Sequence, residues 1–356
     1  MLELQRIFVP LDFSRSSRAA VSAAGRWAQA TNARLHMAHA VAPVMPYTER
    51  TLFPYASLGE DRVSILGELR DNARDALGRY HNLSEMGIEL GRRSAAKGAD
   101  DAGHRLEVVM ADAQQSAFGA LVTQLDASDA QLIVAGHSEK KNSGGTGWYD
   151  VVANGMEHAG AEAGHSGSAG QTPGAYGATA LHILLHAASP TLLVRDIPGK
   201  DIRKVTVALD LSAHSQKVLQ IAVAAALLHE ASLDILVVAP EPLVYDVRGI
   251  VSGVVKADPK AIKRAARRES HKIIDRFEAE LDIPFPWRQR HELLKPKRTG
   301  LVGDPAEQAV SWLANQEMDL LVVGTHGERR ASLARRLGRT AYDMGANAPC
   351  HTLFVP

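Results

Sequence analysis

Asp12-Phe13-Ser14-Arg15-Ser16-Ser17 and Asp210-Leu211-Ser212-Ala213-His214-Ser215 decide the architecture, because each closes a short apolar run with the same D-x-S-x-x-S turn. The aspartate and both serines recur at one offset of 198 residues, which marks a duplicated unit. Leu132-Ile133-Val134-Ala135-Gly136 answers to Leu320-Leu321-Val322-Val323-Gly324 at an offset of 188, and Thr191-Leu192-Leu193-Val194 to Thr352-Leu353-Phe354-Val355 at 161. The falling offsets make the first copy longer by 27 residues between Gly136 and its last strand.

A chain of 356 residues with 46% hydrophobic content can bury a core in each of two domains. Its single cysteine, Cys350, excludes an intrachain disulfide and reads as buried packing. With no apolar run near 18 residues and no basic-then-apolar leader, the expectation is a cytoplasmic protein without a membrane partner. The net charge of zero hides an asymmetry: residues 1–198 carry 17 Lys/Arg against 21 Asp/Glu, and residues 199–356 carry 23 against 19. A basic second half suits a phosphorylated ligand, a nucleic acid or an acidic protein surface alike.

Strand patterns fall at 6–11, 34–41, 105–110, 130–136 and 191–194, with helical patterns at 14–30, 60–86, 113–126 and 178–188. The second copy repeats this with strands at 203–209, 232–239, 288–294, 318–324 and 351–355 and helices at 213–230, 258–281, 304–316 and 331–346. Apolar strands without polar alternation belong to sheets covered on both faces. The fold class is therefore α/β: two tandem doubly wound domains, each a five-stranded parallel sheet with helices on both faces. The Pro198-Gly199 pair punctuates the junction, giving domains 1–198 and 199–356. Asp12, Asp210, Gly136 and Gly324 stand at strand carboxyl ends, where such sheets bind ligands.

Gly303-Asp304-Pro305 precedes a helical stretch, Gly324-Thr325-His326-Gly327 follows a buried strand, and Gly338-Arg339-Thr340 opens the last helix. Each glycine either makes a turn and nothing more, or lets backbone N–H groups approach a phosphate at a helix start.

The order Val207 to Ser212, Gly303 to Pro305, Asp319 to Gly327, Gly338, and Ala348 to Val355 resembles the universal stress protein family, and the resemblance covers both copies outside one insertion. It implies tandem adenine-nucleotide-binding-type domains in a family many of whose members bind ATP without being proficient enzymes, and the departures of the first copy leave ATP as an expectation for the second domain alone. Carried over, it implies that Asp210 contacts the adenosine while Gly324, Gly327 and Gly338 line the phosphates. Gly303, Arg339 and Thr340 complete the candidate set. The resemblance also implies that the closing strands, Thr191 to Val194 and Thr352 to Val355, pair as an internal pseudo-dimer, with a further homodimer of whole chains open. Ten residues, Glu328 to Leu337, separate Gly327 from Gly338, one more than nucleotide-binding members usually have, and Arg339 displaces the hydroxyl residue to Thr340. Arg339 either binds phosphate itself through its fixed donor fork or fills the pocket.

The first copy departs further. Glu139 holds the place of the second glycine and would repel phosphate, while Ala111-Asp112-Ala113 replaces Gly-Asp-Pro. Asp12 then reads as a helix cap. The surplus is a Gly/Ser-rich insertion over about 138–176, with the composition of a surface loop.

His158 and His165 lie in that loop, and His182 and His186 one turn apart, but no carboxylate or cysteine completes a metal set, so no metal is expected. Lys260, Lys263, Arg264, Arg267 and Arg268 read as a solvated helix face; Arg329, Arg330, Arg335, Arg336 and Arg339 crowd the glycine segment and raise its affinity for anions. No aromatic platform is interleaved with them, which argues against nucleic acid. No nucleophile, base or paired-carboxylate spacing marks an enzyme. Two functions follow: a stress-response regulator that binds an adenine nucleotide, or a nucleotide-free scaffold acting through protein partners.

Overall fold

The computed structural model describes residues 4–11, 15–41, 105–110, 117–137, 178–195, 201–210, 212–239, 264, 268, 271, 272, 275, 295–326 and 337–356. Its elements run β1 (Arg6–Pro10), α1 (Arg15–Thr31), β2 (Arg34–Val41), β3 (Arg105–Met110), α2 (Ala117–Ser128), β4 (Leu132–Gly136), α3 (Ala178–His186), β5 (Thr191–Val194), β6 (Lys204–Leu209), α4 (Ser215–Leu228), β7 (Ser232–Ala239), β8 (Lys297–Val302), α5 (Pro305–Gln316), β9 (Leu320–Gly324), α6 (Arg339–Asn347) and β10 (His351–Val355). They form two compact units.

The first unit holds parallel strands in the order β3-β2-β1-β4. Its core sets Ile7, Val9, Leu35, Met37, Leu132 and Val134, which share one face of the sheet, on the side of α1 with its buried Trp27, Ala20 and Ala24. Alanines let the helix approach the sheet closely, and Gly136 takes this furthest. A Cβ there would lie 2.5 Å from the Ser16 carbonyl carbon, so helix α1 leaves no room for a side chain.

The second unit orders its strands β5-β10-β9-β6-β7-β8. All neighbours from β10 to β8 are parallel, and β5 closes antiparallel on β10 with Leu192 opposite Leu353. The pairing of closing strands that the resemblance implied is present. Val205, Val207 and Leu209 turn to the face on which α4 lies; Lys204 and Thr206 turn to the other. On that second face Lys204 Nζ donates to the Gln316 carbonyl at the end of α5, and Lys297 stands 5.9 Å over the Trp312 ring. Both faces are thus covered, as strands with this unbroken apolar character require.

A strand was also expected at 288–294. Those residues lie outside the described ones, and the strand before Gly303 is Lys297–Val302. Pro296, three cations and Gly300 disguise it. It is a half-exposed strand at the end of the order, and charge on such a strand blocks further pairing. The stretches 60–86 and 138–176 also lie outside the described residues, while 264, 268, 271, 272 and 275 are helical and exposed, as a solvated face requires.

Duplication extends to features that no motif announces. Asn32 and Glu230, one repeat apart, end α1 and α4 in the left-handed conformation at φ 56° and 51°; Asp129 and Glu317 end α2 and α5 likewise at 49° and 52°. Beyond them, Asp319 Oδ2 accepts from the backbone N–H groups of Arg203 and Lys204, both at 2.9 Å. In the first copy Gln131 Oε1 accepts from Gln5 and Arg6 at 3.1 and 2.8 Å. Different side chains clamp the same two strands.

Candidate functional site at the winding reversal of the second unit

β6, β7 and β8 step outward on one side of β6, while β9 and β10 lie on the other, so the winding reverses between β6 and β9. A crevice opens at the carboxyl ends of the two strands that flank such a reversal. Asp210 follows β6 and Gly324 closes β9, which brings these two expected residues to one place.

Asp210 is exposed, and its Oδ1 accepts from the Ser212 N–H at 3.1 Å and from the Ser215 hydroxyl at 2.8 Å. One carboxylate oxygen thus closes the turn into α4, as the D-x-S-x-x-S string allows. Its Oδ2 makes no hydrogen bond to a described residue and faces no such demand. Beside it the Ser212 hydroxyl is buried with no hydrogen-bond partner among the described residues. A stranded buried hydroxyl costs about 1–3 kcal/mol, which a polar ligand group would recover.

Past Gly324, Thr325 ties three elements together. Its N–H donates to the Val355 carbonyl at 2.8 Å, and its own carbonyl accepts from the Gly338 N–H at 2.7 Å. The start of α6 is thereby pinned to the end of β9. Gly338 is the N-cap of α6, extended at φ −74° and ψ 150°, and supplies no side-chain acceptor. The first N–H groups of α6 therefore lack the oxygen that usually caps a helix, and an anion suits them. Arg339 and Thr340 stand exposed on this first turn.

Arg339 is held only loosely: its Nε lies 3.4 Å from Asp343 Oδ2, with its side chain 65% exposed. Burial pushes the Asp343 carboxyl above its ordinary value, the Arg339 charge and hydrogen bond pull it back less than burial lifts it, and Asp304 adds to the rise. The pair does not offset its own desolvation, so Arg339 loses little by turning to another anion.

Gly303 stands apart, at the end of β8 and two strands from β6. Its φ of +143° is open to glycine alone, and a Cβ would lie 2.9 Å from Gln308 Cγ. Asp304 then caps α5, accepting from Ala306 and Glu307 N–H at 3.0 and 2.9 Å, with Pro305 in the first turn. Here the Gly-Asp-Pro string accounts for itself as a helix start. Gly327, Glu139, Asp12 and Arg329 to Arg336 lie outside the described residues.

Sequence reasoning missed His214. Its ring packs on Gly324, where a Cβ would meet His214 Cδ2 at 3.0 Å and Val218 Cγ2 at 3.1 Å, and its Nε2 lies 3.1 Å from the Val355 carbonyl. The repeat held the signal, since the residue one repeat earlier is Ser16. Among the described residues no group of three metal-binding side chains forms, and no helix is long and apolar enough to cross a membrane.

With this arrangement in view, residues 3–147 and 201–356 match the model of the Universal stress protein family. The chain belongs to the universal stress protein family. Among solved structures it is similar to a universal stress protein from Archaeoglobus fulgidus, at 11% identity over 98% of this chain and 95% of that one, with a TM-score of 0.54. A functionally unknown protein from Pseudomonas aeruginosa is similar at 12% identity over 99% of this chain and 92% of that one, also with a TM-score of 0.54. At such identities the likeness is one of fold. No curated protein sequence matches the chain.

Proposed function

We propose that this universal stress protein is a regulatory binding protein whose second domain takes ATP or another adenine nucleotide, and that it binds without catalysing. The observation that carries this is the convergence of Asp210, Gly324 and the uncapped start of α6 on the winding reversal between β6 and β9. Uncapped N–H groups and Arg339 suit phosphates; the Asp210 Oδ2 and the Ser212 hydroxyl suit the hydroxyls of a ribose. The first domain lacks the matching features in sequence, with Glu139 at the second glycine position. In it Gly136 serves the packing of α1, since the Ser16 backbone occupies the place of any side chain.

Isothermal titration with ATP tests the reading. Saturable binding at one site per chain, weakened roughly 10- to 150-fold by Arg339→Ala without a shift in Tm, is expected, since a charge-assisted phosphate contact contributes roughly 1.5–3 kcal/mol. A titration of the wild type with no heat and no competition by a fluorescent ATP analogue would sink it.

A further inference from the structure

α6 places its charges against its own dipole. Arg339 stands in the first turn, directly after the Gly338 N-cap, and Asp343 stands one turn further on. A cation at the amino end of a helix is disfavoured by the helix dipole, and an opposite-charge pair is weaker when the cation precedes the anion. Helix stability therefore gives little reason for an arginine at this position. A ligand phosphate at the uncapped N–H groups would give one.

The contact with Asp343 sets where the guanidinium lies. Arg339 Nε donates to Asp343 Oδ2 at 3.4 Å, and neither side chain has a second hydrogen-bond partner among the described residues. Asp343 sits about 6 Å along the axis toward the carboxyl end of α6, whereas a phosphate would sit beyond the amino end. The pair draws Arg339 along the helix, away from the phosphate position.

Its two members are unequal. The Arg339 side chain is 65% exposed and that of Asp343 26%, so the carboxylate is the more buried partner. Burial lifts Asp343 more than Arg339 lowers it, and Asp304, the cap of α5, sets a further negative charge nearby. Such a pair yields its cation to a stronger anion, but at a cost that binding must meet.

We infer that Asp343 is an internal counter-anion that competes with the ligand's phosphates for Arg339 and holds the affinity of the crevice below what that cation would otherwise give. This rests on the nucleotide reading of the same crevice. Asp343 is a positioning residue, acting through Arg339 and touching no ligand.

The test is isothermal titration of the full chain with ATP in a double-mutant cycle of Asp343→Asn and Arg339→Ala. Asparagine keeps the shape of the side chain and removes its charge. Asp343→Asn is expected to tighten binding about two- to fivefold more with Arg339 present than in the Arg339→Ala background, where only a general relief of negative charge remains. Asp343→Glu keeps a carboxylate within reach of Arg339 and is expected to return the affinity to within about twofold of wild type. NMR of the wild-type Arg339 Nε–H, with and without saturating ATP, needs no variant, and its resonance is expected to shift as the proton leaves Asp343. Equal tightening in both backgrounds, weaker binding by Asp343→Asn, or a resonance that ATP does not move overturns the inference while leaving nucleotide binding in place. Absence of ATP binding by wild type overturns both.

Discussion

Replacing Gly338 with aspartate separates folding from binding at the start of α6. The glycine is already extended at φ −74° and ψ 150°, a conformation any N-cap residue adopts. Its new Cβ would lie 3.3 Å from the Thr325 carbonyl oxygen, a contact that a few tenths of an ångström relieve. Against that small cost, an aspartate cap is worth a few tenths of a kcal/mol more than glycine, so Tm is expected to move by no more than about 2 °C. Binding should respond very differently. A carboxylate about 4 Å from a phosphate, in surroundings with an effective dielectric near 20, is repelled by about 4 kcal/mol. Salt and rotation of the side chain reduce this to about 2–3 kcal/mol, or roughly 30- to 150-fold in Kd. Isothermal titration with ATP beside a thermal melt reads both quantities, and Gly338→Asn caps the helix without the charge. A folded Gly338→Asp protein that binds ATP within about threefold of wild type would refute the placement of phosphate at α6.

Two further predictions concern stability. Asp319→Ala strands two backbone donors and is expected to cost about 2–3 kcal/mol in urea denaturation, whereas Asp319→Gln should cost under about 1 kcal/mol, because Gln131 makes the corresponding bonds in the first copy. Equal losses would show that the clamp is not shared by the repeats. Asp234 is raised by burial, which outweighs the pull of Lys297 and Lys204. Its folded form therefore holds a proton more tightly than the unfolded chain, and its ionisation opposes folding at neutral pH. Asp234→Asn should raise Tm at pH 7, with the gain disappearing as pH falls toward the unperturbed 3.8. A gain that persists at pH 3.8 would assign the effect to packing instead.

Much of the fold was legible because its signals are local. The buried runs Leu132–Gly136, Leu320–Gly324 and His351–Val355 announced themselves as strands by composition, and α4 and α5 by length and apolar content. β8 was not legible, because a strand at the end of the order buries little and its cations and proline read as a loop. The candidate site was half legible. Asp210, Gly324 and Gly338 carry motif signals, but nothing near His214 in the chain distinguishes a ring that packs on Gly324 from one in solvent.

Duplication, the doubly wound class and the motif difference between the two copies are all written in the chain, since repeats, periodicity and motif gaps are properties of residues close in sequence or directly compared. Three relations emerge only on folding: winding reverses between β6 and β9, Gly303 stands two strands away while Gly338 is tied to Thr325, and His214 meets the Val355 carbonyl across 141 residues of chain. Those relations come from strand order and helix packing, which bring distant residues together through cores that many sequences can fill.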